Sequence, residues 1–174
     1  MQWSADYCRN VRRMHRENPE PLRFLWGGHN LQTRFSHFGV RKGDTIYPIL
    51  VLKRRLYLIG RMTVTALVDL EEYLSAHEED RAYVYHDCAR EALLGTHGSY
   101  LHFDLVIKRE VLERWRYKSL KGERPIKGLI DGALTCPDTF SGTYRLSDET
   151  STDLFNLLLD HEAEKQLHRL GTNP

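Results

Sequence analysis

Residues 43–68 constrain the fold more than any other stretch of the chain. Gly43-Asp44 is a turn pair, and behind it two apolar runs, 45–52 and 56–68, flank the basic tripeptide Lys53-Arg54-Arg55. Ile46, Ile49, Val51, Leu56, Leu58, Ile59, Met62 and Val64 supply bulk at strand spacing, so the pattern predicts a hairpin with a basic tip. Pro48 cannot donate to a strand ladder, which makes the first run an edge strand or one that carries a bulge.

The flanking sequence supplies helices to cover such a hairpin. Tyr7, Val11 and Met14 recur at i, i+4, i+7 and predict a helix over 6–17, closed by Pro19 and Pro21. Its other side carries Arg9, Arg12, Arg13 and Arg16, a guanidinium ridge whose mutual repulsion a polyanion would relieve. Leu70, Tyr73 and Leu74 predict a surface helix in the acidic stretch 69–80, and residues 86–95 read as a short helix ending at Gly95. The alternation Leu101, Phe103, Leu105, Ile107 predicts a strand over 101–107, followed by a helix over 109–117 with Val111, Leu112 and Trp115 inward. Residues 118–140 are rich in Gly and Pro and read as loops with a short strand near Leu129. A strand over 142–146 then leads to Ser147, which caps a last helix that buries Leu154, Leu157 and Leu158.

At 174 residues, with 41% apolar and 28% charged residues, the chain suits one domain over 1–170 with a frayed tail at 171–174. No run reaches the roughly 18 apolar residues a membrane span needs, so the expectation is a soluble, cytoplasmic protein. Cys8, Cys88 and Cys136 are odd in number and far apart, which argues against a disulfide framework. Charge is uneven: residues 1–61 hold 12 Lys+Arg against 4 Asp+Glu (+8), and residues 62–174 hold 13 against 20 (−7). A basic half of this kind is the usual footprint of phosphate binding, and it also suits solvated faces without a ligand.

The loop before the hairpin joins a flat ring, amides and a guanidinium. Trp26, Gly27-Gly28, Asn30, Gln32 and Arg34 combine a stacking surface, a backbone able to approach a ligand, donor and acceptor groups, and a phosphate partner.

The arrangement Trp26-x-Gly28-x-Asn30-x-Gln32-x-Arg34, then Gly43-Asp44, an apolar strand and a second strand reaching Leu58-Ile59-Gly60, resembles the EVE domain. That family shares the PUA-like fold with YTH and ASCH domains. The resemblance implies an α+β fold, a PUA-like mixed β-barrel of about five to six strands with flanking helices, and Trp3-Ser4 at its first strand. It also implies a nucleic-acid-binding module that flips a modified base of DNA or RNA into a pocket. On that model Trp26 stacks, Gly28 gives close approach, Asn30 and Gln32 bond the base edge, and Trp3, Tyr47 and Tyr57 are reserve wall residues. Arg34 and the ridge Arg9, Arg12, Arg13 and Arg16 hold the backbone, with Lys53, Arg54 and Arg55 reaching phosphate from the hairpin tip. Leu31 stands where the family often has an aromatic.

Two other readings compete with this one. An ASCH-like hydrolase acting on a modified nucleoside would need a Lys, Thr and Glu trio that no spacing here picks out, so a binding module is favoured over an enzyme. An interaction domain would dock an acidic partner through the basic half. His86-Asp87-Cys88, Cys136 and His102 lack CxxC or HxxxH spacing, and no P-loop or GxGxxG is present, so neither metal nor cofactor is expected.

Overall fold

The computed structural model describes residues 1–28, 34–84, 89–136, 140 and 143–171. It is an α+β fold in which a curled, half-barrel and mainly antiparallel sheet, with one parallel strand pair at its N-terminal edge, is flanked by helices. Strands β1 (Gln2–Trp3), β4 (Ile49–Leu52) and β5 (Arg55–Leu58) form one sheet in the order β1-β4-β5. Strands β2 (Phe24–Gly27), β3 (Thr45–Ile46), β6 (Met62–Asp69) and β7 (Glu91–Thr96) form the other, in the order β2-β7-β6-β3.

The two predicted hairpin strands are each split between these sheets. The first leaves β3, turns at Tyr47-Pro48 and enters β4; the second leaves β5, turns at residues 59–61 and enters β6. Pro48 sits where the ladder is broken, and its carbonyl accepts from Ile59 N–H at 2.9 Å, which ties the two corners together. Gly60 suits the close approach there, because a Cβ would stand 2.8 Å from Ser99 Oγ and force it to shift. Strands that switch sheets at such corners are how a sheet is made to curl. The basic tip is the two-residue turn Lys53-Arg54, both at positive φ, as hairpin twist demands.

Helix α1 (Ala5–Glu17) is capped by Ser4 and buries Tyr7 and Val11, as the apolar stripe predicts. Helix α2 (Leu70–Ala76) buries Leu70, Tyr73 and Leu74, and a 3-10 helix, Glu78–Tyr83, follows. Arg23 on the chain entering β2 donates twice to buried Asp80, at 2.8 and 2.7 Å, and Tyr73 Oη donates to the same carboxylate at 2.5 Å. Burial, together with that carboxylate, pushes the Tyr73 hydroxyl up to about 12.

Several predicted elements differ. Of residues 86–95, 86–88 lie outside the described residues, and Glu91–Thr96 is strand β7. It pairs on both edges, with β2 and β6, and this pairing outweighs the helix preference of Glu, Ala and Leu. Residues 101–107 run along the free edge of β5 without forming a regular strand: Leu58 N–H donates to Leu105 O, Ile107 N–H to Leu56 O, and only Val106 bridges Tyr57. Residues 118–134 are more ordered than loops.

Behind helix α3 (Arg109–Arg114), β8 (Arg116–Ser119) pairs with β9 (Gly122–Pro125), and β10 (Leu129–Ile130) pairs with β11 (Ala133–Leu134) around Asp131-Gly132. The helix predicted to reach 117 therefore stops at Arg114, because Arg116 is taken into β8. Of the predicted strand over 142–146, residue 142 is outside the described residues and Leu146 forms a single bridge to Tyr117. Helix α4 (Asp148–Gly171) is capped by Ser147, whose Oγ accepts from Thr150 N–H at 3.2 Å. Among the described residues no helix is long and apolar enough to cross a membrane.

Candidate functional site

A chain of edge-on aromatic contacts that begins on β1 reaches Trp26. Trp3, only 4% exposed, meets Tyr7 at 4.8 Å, and Tyr7 meets Trp26 at 5.3 Å, both nearly perpendicular. The Trp26 indole N–H donates to Tyr83 O at 2.7 Å and reaches Tyr7 Oη at 3.1 Å. Burial raises the Tyr7 hydroxyl strongly, so it stays a neutral hydrogen-bonding group. Beyond Trp26, Gly28 turns at φ +90°, with Glu91 packed beneath it. Glu91 holds Ser36 through the hydroxyl and through the backbone N–H, the latter at 3.2 Å. Asn30 and Gln32 lie outside the described residues. The pocket beneath α1, bounded by Trp3, Tyr7, Arg23 and Tyr83, has a volume of only about 50 Å³. That is room for water and too little for a planar ring.

A larger opening lies between the start of the hairpin and the start of α4. It has a volume of about 330 Å³ and is walled by Phe38, Tyr47, Trp115, Phe140 and Tyr144. Asp44, Lys118, Arg145, Asp148 and Ser151 add polar groups. Its parts are fixed by local bonds. The 41–44 turn closes through Arg41 N–H to Asp44 Oδ2 at 2.9 Å. Tyr47 Oη donates to Ser151 O at 3.1 Å, which pins the corner between β3 and β4 to α4. Lys118 N–H donates to Arg145 O at 2.7 Å and holds the 143–146 segment against β8. Arg145 reaches across to Gly39 O at 3.3 Å, and Lys118 Nζ meets Asp148 at 2.8 Å. Trp115, 2% exposed, has an indole N–H with no hydrogen-bond partner among the described residues. Burial raises the Tyr144 hydroxyl.

Among the described residues, the expected site residues do not gather in one place. Tyr47 lines this cleft, whereas Trp3 is core, Trp26 packs on Tyr7, and Tyr57 is half-buried on β5 beside Val106. Of the basic set, Arg9 pairs with Asp6 and Arg12 lies 6.0 Å over the Phe103 ring. Arg54 Nε donates to Leu134 O at 2.9 Å and serves to anchor β11 to the hairpin tip. Arg13, Arg16, Arg34, Lys53 and Arg55 are exposed and have no ion-pair partner among the described residues.

Sequence reading missed Trp115, Phe140 and Tyr144 as one wall. Their spacing has no period, and only the concentration of aromatics on either side of a Gly/Pro-rich stretch marks them. Comparison with protein-family models, with curated proteins and with solved structures found no match to this chain.

Proposed function

We propose that the chain is a non-catalytic nucleic-acid-binding module of PUA-like type that receives an extruded, modified base in the cleft between the hairpin and α4. One observation carries the reading: an opening of about 330 Å³, walled by five aromatic rings and edged by Arg145 and Lys118. That volume lies at the small end of the range of about 300–1,000 Å³ usual for ligand pockets. Aromatic walls offer stacking worth about 1–3 kcal/mol per base, which offsets an extrusion cost of a few kcal/mol. The curled half-barrel with flanking helices is compatible with a mixed β-barrel-like fold, the class of architecture this reading needs. The unpaired arginines of α1 supply phosphate contacts that are independent of sequence.

The test is a panel of modified and unmodified oligonucleotides at fixed salt, measured with wild type, Phe38→Ala and Arg145→Ala. Wild type should prefer one modification by at least tenfold, and Phe38→Ala should lose most of that preference. Equal binding to every member contradicts the reading, and release of an altered nucleoside during incubation would replace it with a hydrolase.

A further inference from the structure

Away from the cleft, a cluster of polar side chains joins the 99–107 segment to α4. His102 is only 5% exposed, and its backbone N–H donates to Ile59 O at 2.7 Å, so the residue is fixed against the sheet corner. The rings of His102 and His161 meet edge-on, with centroids 5.0 Å apart. One ring nitrogen of each histidine and a carboxylate oxygen of Asp104 all lie within 4.8 Å of one another. His161 Nε2 and Asp104 Oδ1 are 3.4 Å apart. Metal bonds of 2.0–2.1 Å set tetrahedral ligands about 3.4 Å from each other.

The hydrogen bonding leaves one nitrogen of each imidazole without a hydrogen-bond partner among the described residues. His102 Nε2 meets Glu162 Oε1 at 3.2 Å, and because a carboxylate only accepts, Nε2 carries the proton and Nδ1 the lone pair. Nδ1 is buried and has no hydrogen-bond partner among the described residues, and His161 Nε2 makes no hydrogen bond of good geometry. Two imidazole nitrogens left unsatisfied beside a carboxylate are a cost without a ligand. A carboxylate behind the far ring nitrogen is the usual way a metal-binding histidine is oriented.

We propose that His102, Asp104 and His161 bind one divalent ion of the zinc class, with Glu162 orienting His102 and a fourth position left to water. Two nitrogens and one oxygen suit zinc or cobalt better than magnesium or calcium, which favour all-oxygen sites. Lys165 is the built-in competitor: its Nζ lies 3.0 Å from Asp104 Oδ1, and at 39% exposure its side chain can swing into solvent as the ion enters. The ion would tie α4 to the segment along β5. This inference does not depend on the nucleic-acid reading.

The full chain, stripped of metal by a chelator, would be titrated with Co²⁺ and then with Zn²⁺. One equivalent of Co²⁺ should bind with the intense visible absorption of tetrahedral cobalt, and Zn²⁺ should displace it. Proton NMR should show the ring signals of His102 and His161 moving together. Glu162→Gln should weaken binding by about 10–100-fold, and Asp104→Asn or His161→Gln should abolish the equivalent. Lys165→Gln should tighten it, and this variant removes an exposed side chain, so the prediction survives if another variant misfolds. Absence of a saturable equivalent in wild type, uptake unchanged in folded His161→Gln, or no tightening in Lys165→Gln would overturn the proposal.

Discussion

Trp26 illustrates how residue type and residue role separate. In sequence it is a flat ring beside two glycines, which suits a ligand; in the fold its N–H is spent on Tyr83 O and Tyr7 Oη. Trp26→Phe keeps the ring face but loses those bonds, so it should lower unfolding stability by about 1 kcal/mol. Chemical denaturation reads this directly, and the account expects oligonucleotide preference to be unchanged in the same variant.

Cysteine reactivity is a second residue-scale prediction. Cys8 is buried on α1, and desolvation pushes its thiol up to about 12, whereas Cys136 is exposed. A thiol reagent at pH 8 should therefore label Cys136 in the folded protein and Cys8 only after unfolding, as peptide mass spectrometry can show. Rapid labelling of Cys8 in the native state would contradict its placement.

At the scale of elements, strong periodicity was legible and corners were not. The stripe Tyr7, Val11, Met14 and the cap at Ser147 place α1 and the start of α4 correctly, because each depends on local geometry. The hairpin was legible as two apolar runs, but their division between two sheets depends on the meeting of Pro48 with Ile59 and of Gly60 with Ser99, which no local pattern encodes. β7 was hidden because its pairing partners are distant in sequence and its residues favour helix. His102 falls on the polar positions of an alternating run, yet it is buried, because the run lies against β5 and α4 at once.

The arginine ridge of α1 makes its prediction at this same scale. Arg12→Ala with Arg16→Ala should weaken binding to every oligonucleotide alike. The slope of log affinity against log salt should fall by about 1.4 on single strands and about 1.8 on duplex. An unchanged slope would remove the ridge from the interface.

For the whole molecule, the binding reading turns the charge asymmetry of the sequence into a proposed division of labour. The positive half provides α1 and the hairpin tip, with Arg54 holding β11 in place. The second half provides three of the five aromatic walls of the cleft, Trp115, Phe140 and Tyr144. The binding reading therefore needs both halves: phosphate is held by the first, and the base sits between the two. Of the cleft's five aromatic walls, Tyr47 was the one expected as a site residue from sequence; Tyr144 is brought opposite by the 143–146 segment docking on β8.

Photocrosslinking can locate a bound base in or outside the cleft. A single strand carrying one 5-bromouracil would be bound to the wild-type chain, irradiated and digested, and the crosslinked peptides mapped by mass spectrometry. A base held in the cleft should crosslink to peptides that contain Trp115, Phe140 or Tyr144, and competition with the preferred modified strand should reduce those crosslinks. Crosslinks confined to α1 and the hairpin tip, with none in the cleft wall, would contradict the binding reading.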